Sequence, residues 1–192
     1  MNKKFVRSTI NRAANLKHKL RVAILDEENA SLPNKNVTHI LLRGYHLKNR
    51  RIWAEKLAKQ AKRKGLFVLM AGDYNLARKI KADGLHLPEY LLSQPRFWHK
   101  KTANNWQISA ACHSIRAIRL AEKMQVNFAF LSPVFKTSSH PEAKPLGTLR
   151  FARLCAQAKI PIIALGGAEN QEKRLKTSCF SGVAFRPKAG LR

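Results

Sequence analysis

A chain of 192 residues, 45% of them hydrophobic, can bury one sizeable core and is too short for two, so we expect one domain over residues 1–192. No apolar run approaches the about 20 residues of a membrane-spanning helix, and the first residues lack the apolar stretch of a secretory signal. These features argue against a membrane protein and favour the cytoplasm. Three cysteines outside any CxxC pattern argue against a disulfide framework and a zinc site.

The chain is strongly basic, with 37 Lys and Arg against 11 Asp and Glu, which gives a net charge of +26. Basic residues occur in every part of the sequence rather than in one tail or arm. Such a spread is more typical of a solvated surface than of a shaped nucleic-acid groove. Non-specific adhesion to nucleic acid is still expected, because neutralising phosphates requires no shaped site.

Eight short apolar runs predict β-strands, and each ends near a Gly or a polar residue. They cover residues 22–25, 39–42, 66–70, 84–87, 107–110, 128–131, 162–165 and 183–185. Apolar residues at helical spacing predict helices between several of them, most clearly over 52–64, 115–124 and 149–158. Alternating strands and helices require a parallel sheet, and eight strands favour a closed (β/α)₈ barrel, the TIM barrel, over a doubly wound sheet.

This barrel is predicted to be shortened at two connections. Residues 26–38 offer little apolar face, so the first connecting helix should be poor. Too few residues follow the last predicted strand for a last helix, which we expect to be absent. The amphipathic N-terminal segment, residues 5–20, or a second subunit in a homodimer could cover the exposed barrel wall.

Two strand ends carry glycine in a way that predicts a phosphate site. The run IPIIALGG at residues 160–167 ends in Gly166 and Gly167, where the missing side chains allow backbone N–H groups to approach a ligand. The loops after the seventh and eighth strands of such barrels frequently bind phosphate, and the eighth here is SGVAFR, which ends in Arg186. For the glycine pair taken alone, a simple tight turn is the alternative.

Five segments between Leu66 and Arg186 then resemble a known family, the thiamine phosphate synthases and the related thiazole tautomerases. They are ADGLHL at 82–87, ISAACHS at 108–114, SPVFKT at 132–137, PLG at 145–147 and IALGG at 163–167, and ILLR at 40–43 looks like the family's second strand. The resemblance implies a (β/α)₈ barrel that holds a thiazole phosphate on loop amides after the last two strands. The candidate substrate-binding residues are Arg43, His86, Thr137, Ser139, His140, Gly166, Gly167, Phe185 and Arg186. A structural role is the alternative for His86, which lies inside a predicted strand, and simple exposure in a loop is the alternative for His140.

The synthase branch of this family joins a pyrimidine methyl cation to the thiazole nitrogen, while Mg²⁺ holds the departing pyrophosphate through two aspartates. At the matching places this sequence has Ala71 and Gly72, with Asp73 one position late, and PEYL at 88–91. Asp73 and Glu89 are therefore weak candidate metal ligands. His140 stands where the family has a pyrophosphate-binding lysine, whereas Arg43 is retained.

These departures lead to our first hypothesis, a tautomerase-like protein that needs no metal or cofactor. Its resemblance implies that His113 acts as general acid and base, moving a proton within a carboxythiazole phosphate. Imidazole suits this task because its unperturbed pKa of about 6.5 lets it give and take protons near neutral pH. A structural role for His113, as a helix cap or a packed side chain, is the alternative.

Two other functions stay open. The first is a diverged thiamine phosphate synthase, a diphosphorylase that would use Mg²⁺, with Asp73, Glu89 and His140 replacing the usual groups. The second is a non-catalytic protein that binds a phosphorylated ligand or nucleic acid through its old phosphate site and basic surface. Asp26 and Glu27 follow the first predicted strand, where an isolated acidic pair is expected to be solvated.

Overall fold

Eight parallel strands follow one another around a closed barrel, and the last pairs with the first. The computed structural model describes residues 19–33, 36–94, 106–137, 142–175 and 177–187. The strands are β1 Leu20–Leu25, β2 His39–Leu42, β3 Phe67–Ala71, β4 Gly84–Leu87, β5 Gln107–Cys112, β6 Phe128–Leu131, β7 Ile162–Leu165 and β8 Phe180–Phe185. The predicted (β/α)₈ barrel is therefore confirmed.

In the described ranges, four α-helices lie outside this barrel: α1 Arg50–Arg63, α2 Tyr74–Lys79, α3 Ile115–Lys123 and α4 Gly147–Gln157. Helices α1, α3 and α4 match the three that apolar spacing predicts. Helix α2 was not predicted, because its six residues are too few to show a helical period. Its start is fixed by Asp73, whose Oδ1 accepts a hydrogen bond from the Leu76 backbone N–H at 2.9 Å.

The remaining described connections between strands contain short 3₁₀ segments or no helix, which is relevant to the prediction of a shortened barrel. The described residues between β1 and β2 contain no helix. Leu32 is buried in this connection, and Trp53 of α1, also buried, donates its indole N–H to the Glu27 carbonyl at 3.0 Å. Short 3₁₀ segments, Glu89–Ser93 and Glu169–Arg174, follow β4 and β7. The N-terminal segment up to residue 18 and the residues after 187 lie outside the described part of the chain.

Side chains alternate between the barrel lumen and the helix layer, because successive residues of a strand point to opposite faces. The apolar lumen cluster consists of Leu20, Val22, Ile24, Leu41, Leu69, Ala71, Phe128, Phe130, Ile163 and Ala184. Near the amino ends of the strands, His39 Nε2 lies 3.1 Å from the Gln107 side-chain oxygen. The lumen is thus a packed core, and ligands can reach it only at its ends.

Within the described residues, no helix is both long enough and apolar enough to cross a membrane.

Candidate functional site

The carboxyl ends of four neighbouring strands form the candidate site, which we call the mouth: Asp26 after β1, Arg43 after β2, Gly166 and Gly167 after β7, and Arg186 after β8. These four strands are adjacent in the barrel in the order β7, β8, β1, β2. Asp26, Arg43 and Arg186 also continue the lumen-facing alternation of their strands. Loops at this end of (β/α)₈ barrels carry the active sites of this fold.

Asp26 organises the two arginines of the mouth. Its Oδ2 forms an ion pair with Arg43 and lies 3.3 Å from Nη2 of Arg186, while its Oδ1 accepts from the Gly44 backbone N–H at 3.0 Å. Burial, at 8% exposure, acts to raise the pKa of Asp26. The hydrogen bond and charge of Arg43 outweigh that effect and lower the pKa.

The prediction of a solvated acidic pair is therefore wrong for Asp26. The Asp26 carboxylate offsets one of the two guanidinium charges, so Asp26, Arg43 and Arg186 together carry a net charge of +1. A partly buried, net positive cluster of this kind favours an anion with hydrogen-bond acceptors, such as a phosphate group.

The glycine pair makes a turn that only glycine can hold without strain. Gly166 and Gly167 have φ angles of +89° and +63°. A Cβ on Gly167 would lie 2.6 Å from the Lys136 carbonyl oxygen, and one on Gly166 would lie 3.1 Å from Pro133. The missing side chains thus admit the loop after β6, not the ligand. Neither glycine N–H donates to a described residue, so within the described part of the chain both donors are available to an anion.

The segment at β8 contributes less than its sequence suggests. Gly182 lies within the strand, paired with Leu20 of β1 and Ile163 of β7, and is far from the carboxyl end. Phe185 packs against the outer core, where the Arg21 guanidinium lies 5.5 Å from its ring centroid. The structure therefore does not bring the Phe185 ring into the mouth with Arg186.

His113 and Glu89 form a pair on the far side of the barrel opening, after β5 and β4. Glu89 Oε2 lies 2.5 Å from His113 Nδ1 and also accepts from the His113 backbone N–H at 2.8 Å. A carboxylate on Nδ1 orients the ring and leaves Nε2 for another partner. The His113 side chain is 54% exposed, so this nitrogen is accessible to a substrate. Sequence spacing gave no sign of this pair.

His86 lies inside the barrel below the mouth. Its Nδ1 is 3.0 Å from the Ser109 hydroxyl, and its ring packs on Phe130 with centroids 4.9 Å apart. Complete burial, with a smaller effect of the Arg43 charge, lowers the pKa of His86 to about 3. His86 is therefore a neutral hydrogen-bonding group and not a cation for a phosphate.

The two candidate metal ligands are already engaged by protein groups. Asp73 caps α2 through Oδ1, and its Oδ2 lies 3.6 Å from Nη1 of Arg50. Glu89 is held by His113, as described above. Among the described residues, no three His, Cys, Asp or Glu side chains are grouped so that they could hold a metal ion. These residues do not fit the magnesium site that the family resemblance implies.

Arg50, which sequence reasoning missed, links the ends of β2 and β3. Its Nε donates to the Arg43 carbonyl at 2.9 Å and its Nη2 to the Ala71 carbonyl at 2.6 Å. The guanidinium also lies 4.9 Å from the Tyr45 ring centroid. Arg50 thereby fixes the backbone that presents Arg43. An arginine at a helix start gives no sequence signal for this role.

The loop after β6 is described only in part. Thr137 is half-buried at the end of its first described stretch, while Ser139 and His140 lie outside the described residues. The assignment of these three residues to substrate binding stays a prediction.

Comparison with known proteins identifies the family. Residues 15–185 match the family model described as thiamine monophosphate synthase. The chain belongs to this family. A protein of Aquifex aeolicus with the name "Putative thiamine-phosphate synthase 2" is 37% identical over 155 residues, which cover 79% of this chain and 80% of that protein. The thiamine-phosphate synthase of Syntrophomonas wolfei is 29% identical over 133 residues, which cover 68% of this chain and 63% of that protein.

Solved structures support the fold of the family. The thiamine phosphate pyrophosphorylase from Pyrococcus furiosus superposes with a TM-score of 0.68 at 22% identity, over 90% of this chain and 88% of that one. The 3-keto-L-gulonate-6-phosphate decarboxylase from Vibrio cholerae gives a TM-score of 0.59 at 8% identity, over 88% and 87% of the two chains. At these identities the likeness speaks for the barrel alone.

Proposed function

We propose that this protein acts as a thiamine-phosphate synthase, joining a pyrimidine pyrophosphate to a thiazole phosphate. The observation that carries the proposal is the mouth, where two arginines share one buried carboxylate and the neighbouring glycine turn has two N–H groups that donate to no described residue. Membership of the thiamine monophosphate synthase family supports it. The names of the relatives also favour this alternative over our first hypothesis of a tautomerase.

The geometry suggests how two anionic substrates would be held. The N–H groups of Gly166 and Gly167, with Arg186 beside them, suit the thiazole phosphate. Arg43 suits the pyrophosphate of the second substrate. Its side chain is held by the ion pair with Asp26, and its backbone carbonyl accepts a hydrogen bond from Arg50.

In the reaction, the thiazole nitrogen forms a bond to the pyrimidine methylene carbon. The carbon–oxygen bond to pyrophosphate breaks, and the leaving oxygen keeps the electron pair. Arg43 would act by stabilising the negative charge that grows on this leaving group. No step requires the engaged carboxylates of Asp73 and Glu89.

The test is formation of thiamine phosphate and release of pyrophosphate from the two substrates, with and without Mg²⁺. We expect Arg43→Gln to lower kcat/KM by about 10²-fold, the size typical for loss of a charge-stabilising donor. Arg51→Gln is the matched control, because Arg51 is 62% exposed on α1 and its ion pair within the described residues is with Glu55. A wild-type protein that forms no thiamine phosphate under either condition would refute the proposal.

A second variant tests the role of the carboxylates. Asp73→Asn keeps a side-chain oxygen that can cap α2 but removes the charge. We expect it to retain far more activity than Arg43→Gln. Equal losses in the two variants would mean that Asp73 takes part in the transfer and that the metal fit described above is wrong.

The His113–Glu89 pair favours tautomerase-like proton transfer as a second candidate function. With Nδ1 held by Glu89, Nε2 of His113 could take a proton from one carbon of a carboxythiazole phosphate and return it to another. A protein with this activity should interconvert the tautomers, and His113→Gln should slow the reaction by about 10²–10⁴-fold. Interconversion by His113→Gln at the wild-type rate would rule out His113 as the proton shuttle.

A further inference from the structure

The exposed side of α1 is lined by basic residues. The helix buries an apolar side against the barrel, which consists of Trp53, Ala54, Leu57, Ala58 and Ala61. On its other side the exposed cations are Arg51, Lys56, Lys59, Lys62 and Arg63. With 3.6 residues per turn, these five positions fall within an arc of about 140°, so they project from the barrel on the same side of the helix.

Helix α2 extends this basic surface. Arg78 and Lys79 at its end, and Lys81 after it, are also exposed. The two helices are in contact here, because Lys79 Nζ lies 3.9 Å from Glu55 Oε1 of α1 and Lys62 Nζ donates to the Lys81 carbonyl. These three cations and the five of α1 together form what we call the basic face.

Acidic residues do not balance this charge. Glu55 is the one acidic residue in α1 and α2, and it is shared between Arg51, at 3.8 Å, and Lys79. Helices α1 and α2 have 14 and 6 residues, and α3 and α4 have 9 and 11, so the two pairs are equally long. The first pair contains eight Lys and Arg and the second pair five. Basic residues occur in every part of the sequence, but the fold places a denser group of them at α1 and α2 than at α3 and α4.

The charge of the basic face calls for a polyanion, and the packing of α1 argues against a membrane. A helix that binds a lipid surface inserts its apolar side among the lipids, whereas the apolar side of α1 is buried against the barrel. Helix α1, with 14 residues, is about 21 Å long. Phosphates follow one another every 3.4 Å or so along one strand of a nucleic-acid duplex, so several of them fit along this helix.

We propose that the basic face binds the phosphate backbone of nucleic acids without preference for sequence. Most of its cations are lysines, whose compact charge on a flexible stem suits phosphate and reads no base edge. The exposed cations of α1 project from the outside of the barrel, so a ligand in the mouth should not compete with this binding. The site is therefore separate from the proposed synthase activity.

The experiment measures binding of the full chain to a fluorescein-labelled 20-nucleotide single-stranded RNA by fluorescence anisotropy, over a series of KCl concentrations. The test variant combines Lys56→Gln, Lys59→Gln, Arg63→Gln and Arg78→Gln, four exposed positions on the basic face. Each phosphate contact contributes about 0.7 to the slope of log K against log salt for a single strand. Loss of four contacts should make the slope shallower by about 3 and weaken binding at least ~10-fold in 50 mM KCl.

The matched control removes the same charge from the other helices. It combines Arg116→Gln, Lys123→Gln, Arg150→Gln and Arg153→Gln, which are exposed on α3 and α4. Its affinity should stay within about threefold of wild type and its salt slope should not change, because four positive charges outside the bound surface act only through a screened field. Equal losses in the two variants would mean that the net charge of the whole surface, and not the basic face, binds RNA.

Three further outcomes would overturn the proposal. They are a wild-type protein that does not bind the RNA in 50 mM KCl, a preference of more than about 10-fold between two RNA sequences or between RNA and DNA of one sequence, and equally tight binding to vesicles of anionic lipid. Thermal melting checks that both variants are folded. If the four-fold variant of the basic face melts lower than wild type, the pairs Lys56→Gln with Lys59→Gln and Arg63→Gln with Arg78→Gln replace it, and each should give about half of the change in slope.

Discussion

Replacement of Gly167 by alanine should destabilise the protein, and the size of the loss can be estimated from the structure. The residue has a φ of +63°, and its Cβ would lie 2.6 Å from the Lys136 carbonyl oxygen and 3.0 Å from the Phe135 side chain. Gly65 has nearly the same φ, +67°, but nothing lies within 4 Å of its Cβ position. Gly65→Ala therefore measures the cost of the backbone conformation alone.

The left-handed conformation costs an alanine about 1–2 kcal/mol. Crowding against the loop after β6 adds about 1–3 kcal/mol at Gly167. We expect Gly65→Ala to lower the free energy of unfolding by about 1–2 kcal/mol and Gly167→Ala by about 2–5 kcal/mol. The effect of the added methyl group on the unfolded chain is the same at both positions and cancels in the comparison.

Urea unfolding followed by far-UV circular dichroism, at one pH and with equal m-values, gives the two free energies. If Gly167→Ala is no more destabilised than Gly65→Ala, the loop after β6 does not restrict this position. The glycine would then be needed for something other than the close contact with Lys136. Binding of thiazole phosphate by the Gly167→Ala protein, measured as a rise in melting temperature, would report on the same turn separately.

Three further predictions concern charge. The pKa of Asp26 is lowered, so its contribution to stability is present above its unfolded pKa of about 3.9 and is lost as the pH falls further. Asp26→Asn should therefore be less stable at neutral pH, and its free energy of unfolding in urea should fall less steeply with decreasing pH. The pKa of His86 is lowered to about 3, so as the pH falls below about 6.5 the unfolded chain binds a proton at this residue before the folded protein does. The free energy of unfolding should therefore decline below about pH 6.5, and should decline less in His86→Gln. The same pH dependence in both proteins would contradict a buried, neutral imidazole. If the net charge of +26 attracts RNA through the surface, RNA binding measured by fluorescence anisotropy should weaken steeply with salt. Thiazole phosphate should then have no effect on that binding. Competition by thiazole phosphate would instead place the RNA in the mouth.

The fold could be read from the sequence because each strand is a short apolar run with a clear end. Strands β2, β4, β6 and β7 have the predicted bounds, since Arg, Pro, Ser and Gly respectively follow their last residues. Strands β1 and β8 begin earlier than predicted. Their first residues include Arg21, which pairs with Val183, and Gly182, which pairs with Leu20; neither Arg nor Gly extends an apolar run.

The site was harder to predict, because its residues meet through the barrel and not through the chain. Arg43 and Arg186 were found, but Asp26 between them was dismissed as solvated. A signal was available: Asp26 continues the alternation of Val22 and Ile24 into the lumen. No comparable signal joins Glu89 to His113. Their contact depends on the register of β4 against β5 and on the short 3₁₀ segment that follows β4.

The single carboxylate between Arg43 and Arg186 has a consequence for how this end of the barrel can change. The contribution of one arginine to stability or binding depends on the other, because removing either leaves the remaining arginine as the sole partner of the Asp26 carboxylate. A double-mutant cycle across the two positions should therefore be non-additive, although 143 positions separate them in the chain (186 minus 43). Substitutions tolerated at the end of β2 will depend on the residue at the end of β8, so these two strand ends are expected to evolve together.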